Sequence, residues 1–131
     1  MQLSKFTDYT FRVLIYMAKH QEKLCTVEQL AAELEVSEHH LKKVIHRLAK
    51  TDYLTSIKGR AGGLRLGVSP EQINLGEILR ITEDNLNIVS CLNNNHICTF
   101  IEGDCKLKSI VYASLERFIE EFGKYTLSDL L

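Results

Sequence analysis

A mainly α chain with a small β-wing is the class that three stretches of this sequence predict. Between Thr26 and Lys50, two short amphipathic segments stand on either side of a tight break. Between Leu54 and Leu66, two short β-type runs flank the Gly-rich basic tip Lys58-Gly-Arg-Ala-Gly-Gly63. Between Asp104 and Phe122, apolar residues recur at three and four over more length than a small domain's own core needs. Together these predict a winged helix-turn-helix with a long C-terminal dimerisation helix, the plainer alternative for that last helix being one that faces its own core. The expected divisions are 1–83 for the winged helix-turn-helix, 84–106 for a cysteine-bearing loop, and 107–131 for the dimerisation helix and tail.

Thr7 to His20 is expected to be the first helix, because Val13, Leu14, Met17 and Ala18 recur at helical spacing. Asp8 and Arg12 are four apart and share a face, as a surface ion pair does. Residues 21 to 25 form a linker that carries Cys25, read as a structural or free thiol. Thr26 and Gln29 then make a capping-box pattern, opening a helix that turns Leu30, Ala31 and Leu34 inward and ends near Glu35. Ser37 caps the next helix, which runs to about Lys50 on the stripe Leu41, Val44, Ile45 and Leu48. No Gly marks the turn between them.

In a helix-turn-helix the second helix reads base edges. Ser37, His39, His40, Lys42, Lys43 and Arg47 are the expected DNA-contacting residues there, since histidine and lysine donate to guanine acceptors in the major groove. His39, His40 and His46 lack the four-residue spacing of a helical metal site. Lys58 and Arg60, at the tip of the hairpin, are expected to reach phosphates or the minor groove. The tip has neither the Gly-Lys-Ser/Thr ending nor the following helix of a nucleotide-phosphate loop. Ser69-Pro70 opens a short turn, Asn74 caps a helix from Leu75 to Glu83 with Glu77 at its third position, and Gly123 ends the last long helix. The tail Tyr125 to Leu131 is expected to pack as a short capped turn.

Charge supports a polyanion partner. The whole chain of 131 residues carries a net −1, yet Ser37 to Leu66 holds seven basic residues against two acidic ones, while the remainder holds nine against fifteen. Such segregation points to one surface for nucleic acid, the plainer alternative being a solvated helix face. No apolar run approaches the roughly 18 residues of a membrane span, and the start lacks a signal peptide's apolar core. A cytoplasmic protein with no membrane partner is expected. No nucleophile–base pair, phosphate loop or paired-carboxylate motif stands out, so no enzyme activity is expected.

Cys91, Cys98 and Cys105 are seven residues apart in a stretch rich in loop formers, Asn93 to Asn95 and Glu102 to Asp104. In a reducing compartment such cysteines point to a metal or redox site rather than to disulfides. Three soft donors suit an iron–sulfur cluster, usually held by four protein ligands, so one would come from elsewhere. Zinc is the rival, with His96 completing a Cys-Cys-Cys-His set, though the short C-x2-C knuckle is missing. Unligated thiols are the third reading.

The chain resembles the NsrR/IscR family of dimeric winged-helix regulators that carry an iron–sulfur cluster. The resemblance spans nearly the whole length. It rests on Phe6-Thr-Asp-Tyr-Thr-Phe-Arg-Val-Leu-Ile-Tyr-Met-Ala18, on Lys58-Gly-Arg-Ala-Gly-Gly-Leu-Arg-Leu-Gly67, on the three loop cysteines and on Tyr125-Thr-Leu-Ser-Asp-Leu-Leu131. It implies a cluster, 4Fe–4S rather than 2Fe–2S, held by Cys91, Cys98 and Cys105 together with Asp8 of the partner subunit. Arg12 then links that Asp to the DNA-binding unit. IscR-type members use a His three residues after the last Cys, where this chain has Lys108, so the chain is more similar to the nitric oxide-sensing branch. The implied function is a homodimeric repressor on double-stranded DNA with a roughly palindromic operator and nitric oxide as signal. A same-fold sensor of iron–sulfur supply or redox state, and a zinc or thiol-switch regulator, remain as alternatives. The seven-residue spacings are a little longer than the family often shows, and His96 competes for the fourth ligand position.

Overall fold

The first helix, α1 (Lys5–Lys19), begins two residues before its expected start because Ser4 caps it, accepting the Thr7 N–H at 3.1 Å. In the computed structural model, which describes residues 1–93 and 98–131, α1 lies at the centre of the core. Val13, Leu14 and Met17 are fully buried along it. Against it pack α2 (Val27–Leu34) and α3 (Glu38–Leu48). Thr26 and Gln29 form the expected capping box on α2, and Ser37 caps α3. The buried side chains of these helices are Leu30 on α2 and Leu41, Val44 and Leu48 on α3. The turn between them needs a left-handed residue, and Glu35 supplies it with φ of 53°. A non-glycine residue there costs about 1–2 kcal/mol, which burial of the flanking helices offsets.

The wing is the antiparallel pair β1 (Leu54–Ile57) and β2 (Gly63–Leu66), with Leu54 opposite Leu66 and Ile57 opposite Gly63. Leu54 and Leu64 anchor it in the core. Its tip bends at Gly59, where φ is +107°. The linker at 21–25 is more than a linker. Cys25 pairs with Leu64 through two backbone hydrogen bonds, of 2.9 and 2.7 Å, and so adds a third strand-like rung to the wing. That bridge joins residues far apart in sequence, which is why no local pattern announces it.

A turn of 3-10 helix (Pro70–Gln72) leads to α4 (Leu75–Thr82), capped by Asn74 as expected. Asn74 also donates its side-chain amide to Gly123 O at 2.7 Å, at the end of α5 (Lys106–Phe122). Beside it Gly76 meets Gly123 so closely that a Cβ would lie 2.8 Å from the Gly123 Cα. The tail folds back as a 3-10 turn (Leu127–Leu130). Leu127 is fully buried, and its N–H donates to Ile73 O at 2.9 Å. α5 starts at Lys106 rather than Asp104. It buries only Leu115 and Ile119, and leaves Leu107 65% and Ile110 63% exposed at its N-terminal half. Among the described residues no helix is long and apolar enough to cross a membrane.

Candidate metal centre and nucleic-acid interface

The three loop cysteines reach one place by different routes. Cys91 sits in a single 3-10 turn (Ser90–Leu92), Cys98 lies in a stretch without helix or strand, and Cys105 holds the N-cap position of α5. All three are free, half-buried thiols, and they line a single cavity of about 470 Å³ with Ile101, Glu102, Gly103 and Lys108. Gly103 turns the chain there with φ of +87°. Among the described residues no three His, Cys, Asp or Glu side chains gather tightly enough for one metal ion. A cluster of several irons asks less, because each thiolate can bind a different iron. The donor set therefore fits an iron–sulfur cluster with three ligands from this loop. His96, the rival fourth ligand, lies outside the described residues.

Asp8 does not line that cavity in its own chain. Its carboxylate pairs with Arg12 Nε at 3.0 Å across one helical turn, with both side chains about half exposed (49% and 53%). The pair is open to solvent and to another chain. The fourth cysteine is unlike the other three. Cys25 is buried at the base of the wing, and that burial pushes its thiol pKa up, the nearby Lys23 only partly opposing it.

On the reading helix, Ser37 Oγ accepts the His40 N–H and also bonds His40 Nδ1 at 2.8 Å. The His40 ring lies 5.8 Å from both Tyr9 and His39. Lys42 pairs loosely with Glu38 at 3.5 Å. His39, Lys42, Lys43, His46, Arg47 and Lys50 line a shared groove on this face with Phe6 and Asp84. Lys58 and Arg60 are exposed at the wing tip, so the basic residues expected to meet DNA stand on the two elements that protrude. Arg47 lines the groove but is also engaged within its own chain. Its guanidinium turns back to Ile81 O at 2.9 Å and to Asp84 at 3.1 Å, and sits 5.7 Å from the Phe6 ring centroid.

Residues that sequence reasoning passed over join α1 to the segment leaving α4. Glu83 accepts the Ser4 N–H at 2.8 Å, and its carboxylate lies 2.5 Å from the Thr7 hydroxyl. Thr7 is fully buried, and its hydroxyl also lies 2.8 Å from that of Thr82. A buried Thr on the core side of an amphipathic helix was the available signal, since a buried hydroxyl needs a partner.

Comparison with known proteins sets these features in a family. The model described as "Rrf2: Iron-dependent Transcriptional regulator" matches residues 3–131. The chain is 42% identical to the HTH-type transcriptional regulator NsrR of Bacillus subtilis, over all of this chain and 90% of that one. It is 40% identical to the NsrR of Shouchella clausii, over all of this chain and 89% of that one. Among solved structures, CymR, the global cysteine regulator of B. subtilis, superposes with a TM-score of 0.76 at 26% identity, covering 99% of this chain and 95% of that one. The IscR of T. potens, at 22% identity, shares the fold with a TM-score of 0.77, covering 99% of this chain and 85% of that one.

Proposed function

The chain belongs to the Rrf2 family of transcriptional regulators, and from that premise we propose that it is a homodimeric DNA-binding repressor that senses nitric oxide through an iron–sulfur cluster. The observation that carries the reading is the convergence of Cys91, Cys98 and Cys105 on one cavity at the head of α5. These three would hold the cluster, with the fourth position filled by Asp8 of the partner subunit; the resemblance to the nitric oxide-sensing branch favours 4Fe–4S. When bound, the cluster supplies iron that nitric oxide can engage.

The chain's own residues do the rest. Leu107 and Ile110 leave an apolar side of α5 uncovered, as a helix that pairs with a second copy would. A twofold dimer presents two reading helices to successive major grooves about 34 Å apart, so the operator is roughly palindromic. His39, His40, Lys42 and Lys43 face base edges and phosphates from α3, whose start Ser37 fixes, while Lys58 and Arg60 reach out from the wing. Asp8 ties the loop of one subunit to α1 of the other, and Arg12 holds the Asp8 carboxylate in place. An oxygen donor is the weakest of the four on soft iron. Asp8 would therefore be the ligand most readily lost, and its loss would free α1 and loosen the reading head.

The test is anaerobic purification with an absorption spectrum, iron and sulfide assays, and DNA binding to a duplex selected by the protein from a random-sequence pool. A brown protein containing both elements, which loses its colour and its DNA affinity on addition of nitric oxide, is the expected result. A colourless protein that holds zinc, or no metal after reconstitution, would move the function to a zinc or thiol switch on the same fold. A cluster indifferent to nitric oxide but lost under iron limitation or oxidant would move it to a sensor of cluster supply or redox state.

A further inference from the structure

Arg47 belongs to the reading helix by sequence, but its guanidinium is occupied elsewhere. Nη1 donates to the carbonyl of Ile81 at 2.9 Å, and Nη2 to Asp84 at 3.1 Å. The Ile81 carbonyl is among the last four of α4, which have no partner within their own helix. Arg47 thus caps the C-terminal end of α4 with a positive charge, where the dipole favours one. The guanidinium also lies over the Phe6 ring of α1, 5.7 Å from its centroid. One side chain joins α3, α1 and the end of α4. Next to it, Glu83 takes the N–H of Ser4 at the start of α1. The segment 81–84 is thereby clasped from both sides just before the chain enters the cysteine-bearing loop.

We propose that Arg47 is a positioning residue, not a phosphate contact: with Asp84 and the Ile81 carbonyl it locks the reading helix to the segment that leads into the cysteine loop. The inference deepens the proposed function and rests on it. The Arg47–Asp84 pair alone is too exposed to matter much, at 42% and 82% of the two side chains. The clasp gains its direction from the carbonyl and the ring, which a planar fork can meet together and a lysine ammonium cannot.

The experiment compares the parent with Arg47→Gln, Arg47→Lys, Asp84→Asn and the Arg47→Gln/Asp84→Asn pair, with and without cluster. It reads the affinity for the pool-selected duplex at several salt concentrations. A phosphate contact contributes about 0.9 to the slope of log affinity against log salt. The clasp predicts an unchanged slope in Arg47→Gln. It predicts that Asp84→Asn weakens binding even though it removes a negative charge beside the DNA face. The ratio of loaded to cluster-free affinity should fall about threefold to tenfold in the Arg47 variants, Arg47→Lys included, and by less in Asp84→Asn, whose exposed pair is the smaller part of the clasp. The double variant should be no worse than the worse single. A slope lowered by about one in Arg47→Gln, with tighter binding in Asp84→Asn, overturns the clasp in favour of a phosphate contact. Parent-like behaviour in all variants overturns it too. If the parent's affinity ignores cluster loading, the sensor reading fails instead, and the slope and the sign of the Asp84→Asn effect still decide the clasp. If the parent binds no DNA, melting of the cluster-free variants decides it: losses that add independently overturn the coupling.

Discussion

Asp8→Ala separates a ligand from a surface charge, because the structure makes the second role small. The Asp8–Arg12 pair is about half exposed on each side, so its loss costs about 0.3–0.5 kcal/mol. Asp8 also lies in the first turn of α1, where a negative charge gains about 0.3–1 kcal/mol from the dipole. Alanine is the better helix former by up to about 0.7 kcal/mol, which offsets part of both. The cluster-free variant should therefore lose less than about 1 kcal/mol, a fall in Tm of no more than about 5 °C. Its effect on the cluster should be far larger. Groups that merely support a metal ligand change affinity about 10–100-fold, and a ligand at least as much. Asp8→Ala should thus shorten cluster lifetime under oxygen or nitric oxide at least tenfold, and Asp8→Cys, with a softer donor, should hold the cluster longer than Asp8→Ala.

Mixed dimers decide which subunit supplies the carboxylate. One chain carries Asp8→Ala with its cysteines intact; the other keeps Asp8 and has all three loop cysteines changed to Ala. If Asp8 acts across the dimer, the intact loop meets an intact Asp8, and one cluster per dimer behaves like the parent's. If the mixed dimer's cluster is as short-lived as that of the Asp8→Ala homodimer, the cross-subunit assignment is refuted. Parent-like lifetime and nitric oxide response in the homodimer would refute Asp8 as a ligand altogether.

Three further outcomes follow from the packing. Leu107→Glu with Ile110→Glu should weaken self-association at least about a hundredfold, since each side chain contributes about 1.5–3 kcal/mol when fully buried; sedimentation checks it, and an unchanged dimer would place the interface elsewhere. Gly76→Ala should lower Tm by roughly 3–10 °C even after alanine's helical gain, because its Cβ would meet the Gly123 backbone and the Ile119 carbonyl at 2.8–2.9 Å; a rise in Tm would mean that α4 and α5 separate at little cost. In cluster-free native protein, iodoacetamide should modify Cys91, Cys98 and Cys105 while sparing Cys25, which is buried and has its pKa pushed up; mass spectrometry reads the sites, and early labelling of Cys25 would contradict its place under the wing.

Much of the fold was legible because its signals are local. Thr26 with Gln29, Ser37, Asn74 and the Gly-rich tip each announce an element within four or five residues, and each element stands where it was expected. α1 starts two residues before the position its pattern predicts. Ser4 caps it without a Glu or Gln three residues on, so the capping-box pattern was absent. The turn before α3 lacked its usual Gly because Glu35 takes the left-handed conformation. The cysteine cavity was visible as spacing, whereas the partners of Arg47 were not. Ile81 and Asp84 lie more than thirty residues from it, and nothing in a reading-helix pattern announces that an arginine also bonds the end of a distant helix.

The first turns of α1 give the proposed signal a mechanical route. Successive side chains on a helix point about 100° apart, so five neighbours there meet different partners. Phe6 lies against Arg47 of the reading helix, Thr7 against Glu83 and Thr82, and Tyr9 against His40. Asp8, between them, points to solvent with Arg12, and Thr10 turns back to the carbonyl of Phe6 at 2.8 Å. α1 moves as a unit, because Val13, Leu14 and Met17 bury it in the core and its backbone hydrogen bonds leave little slack. A tie on Asp8 therefore acts on Phe6, Thr7 and Tyr9 together. Two of those contacts lie on α3, and the third holds the segment entering the cysteine loop. Weakening one contact should leave the others to carry part of the coupling. Loss of the Arg47 clasp should thus shrink the response to the cluster without abolishing it, whereas loss of Asp8 removes the input itself.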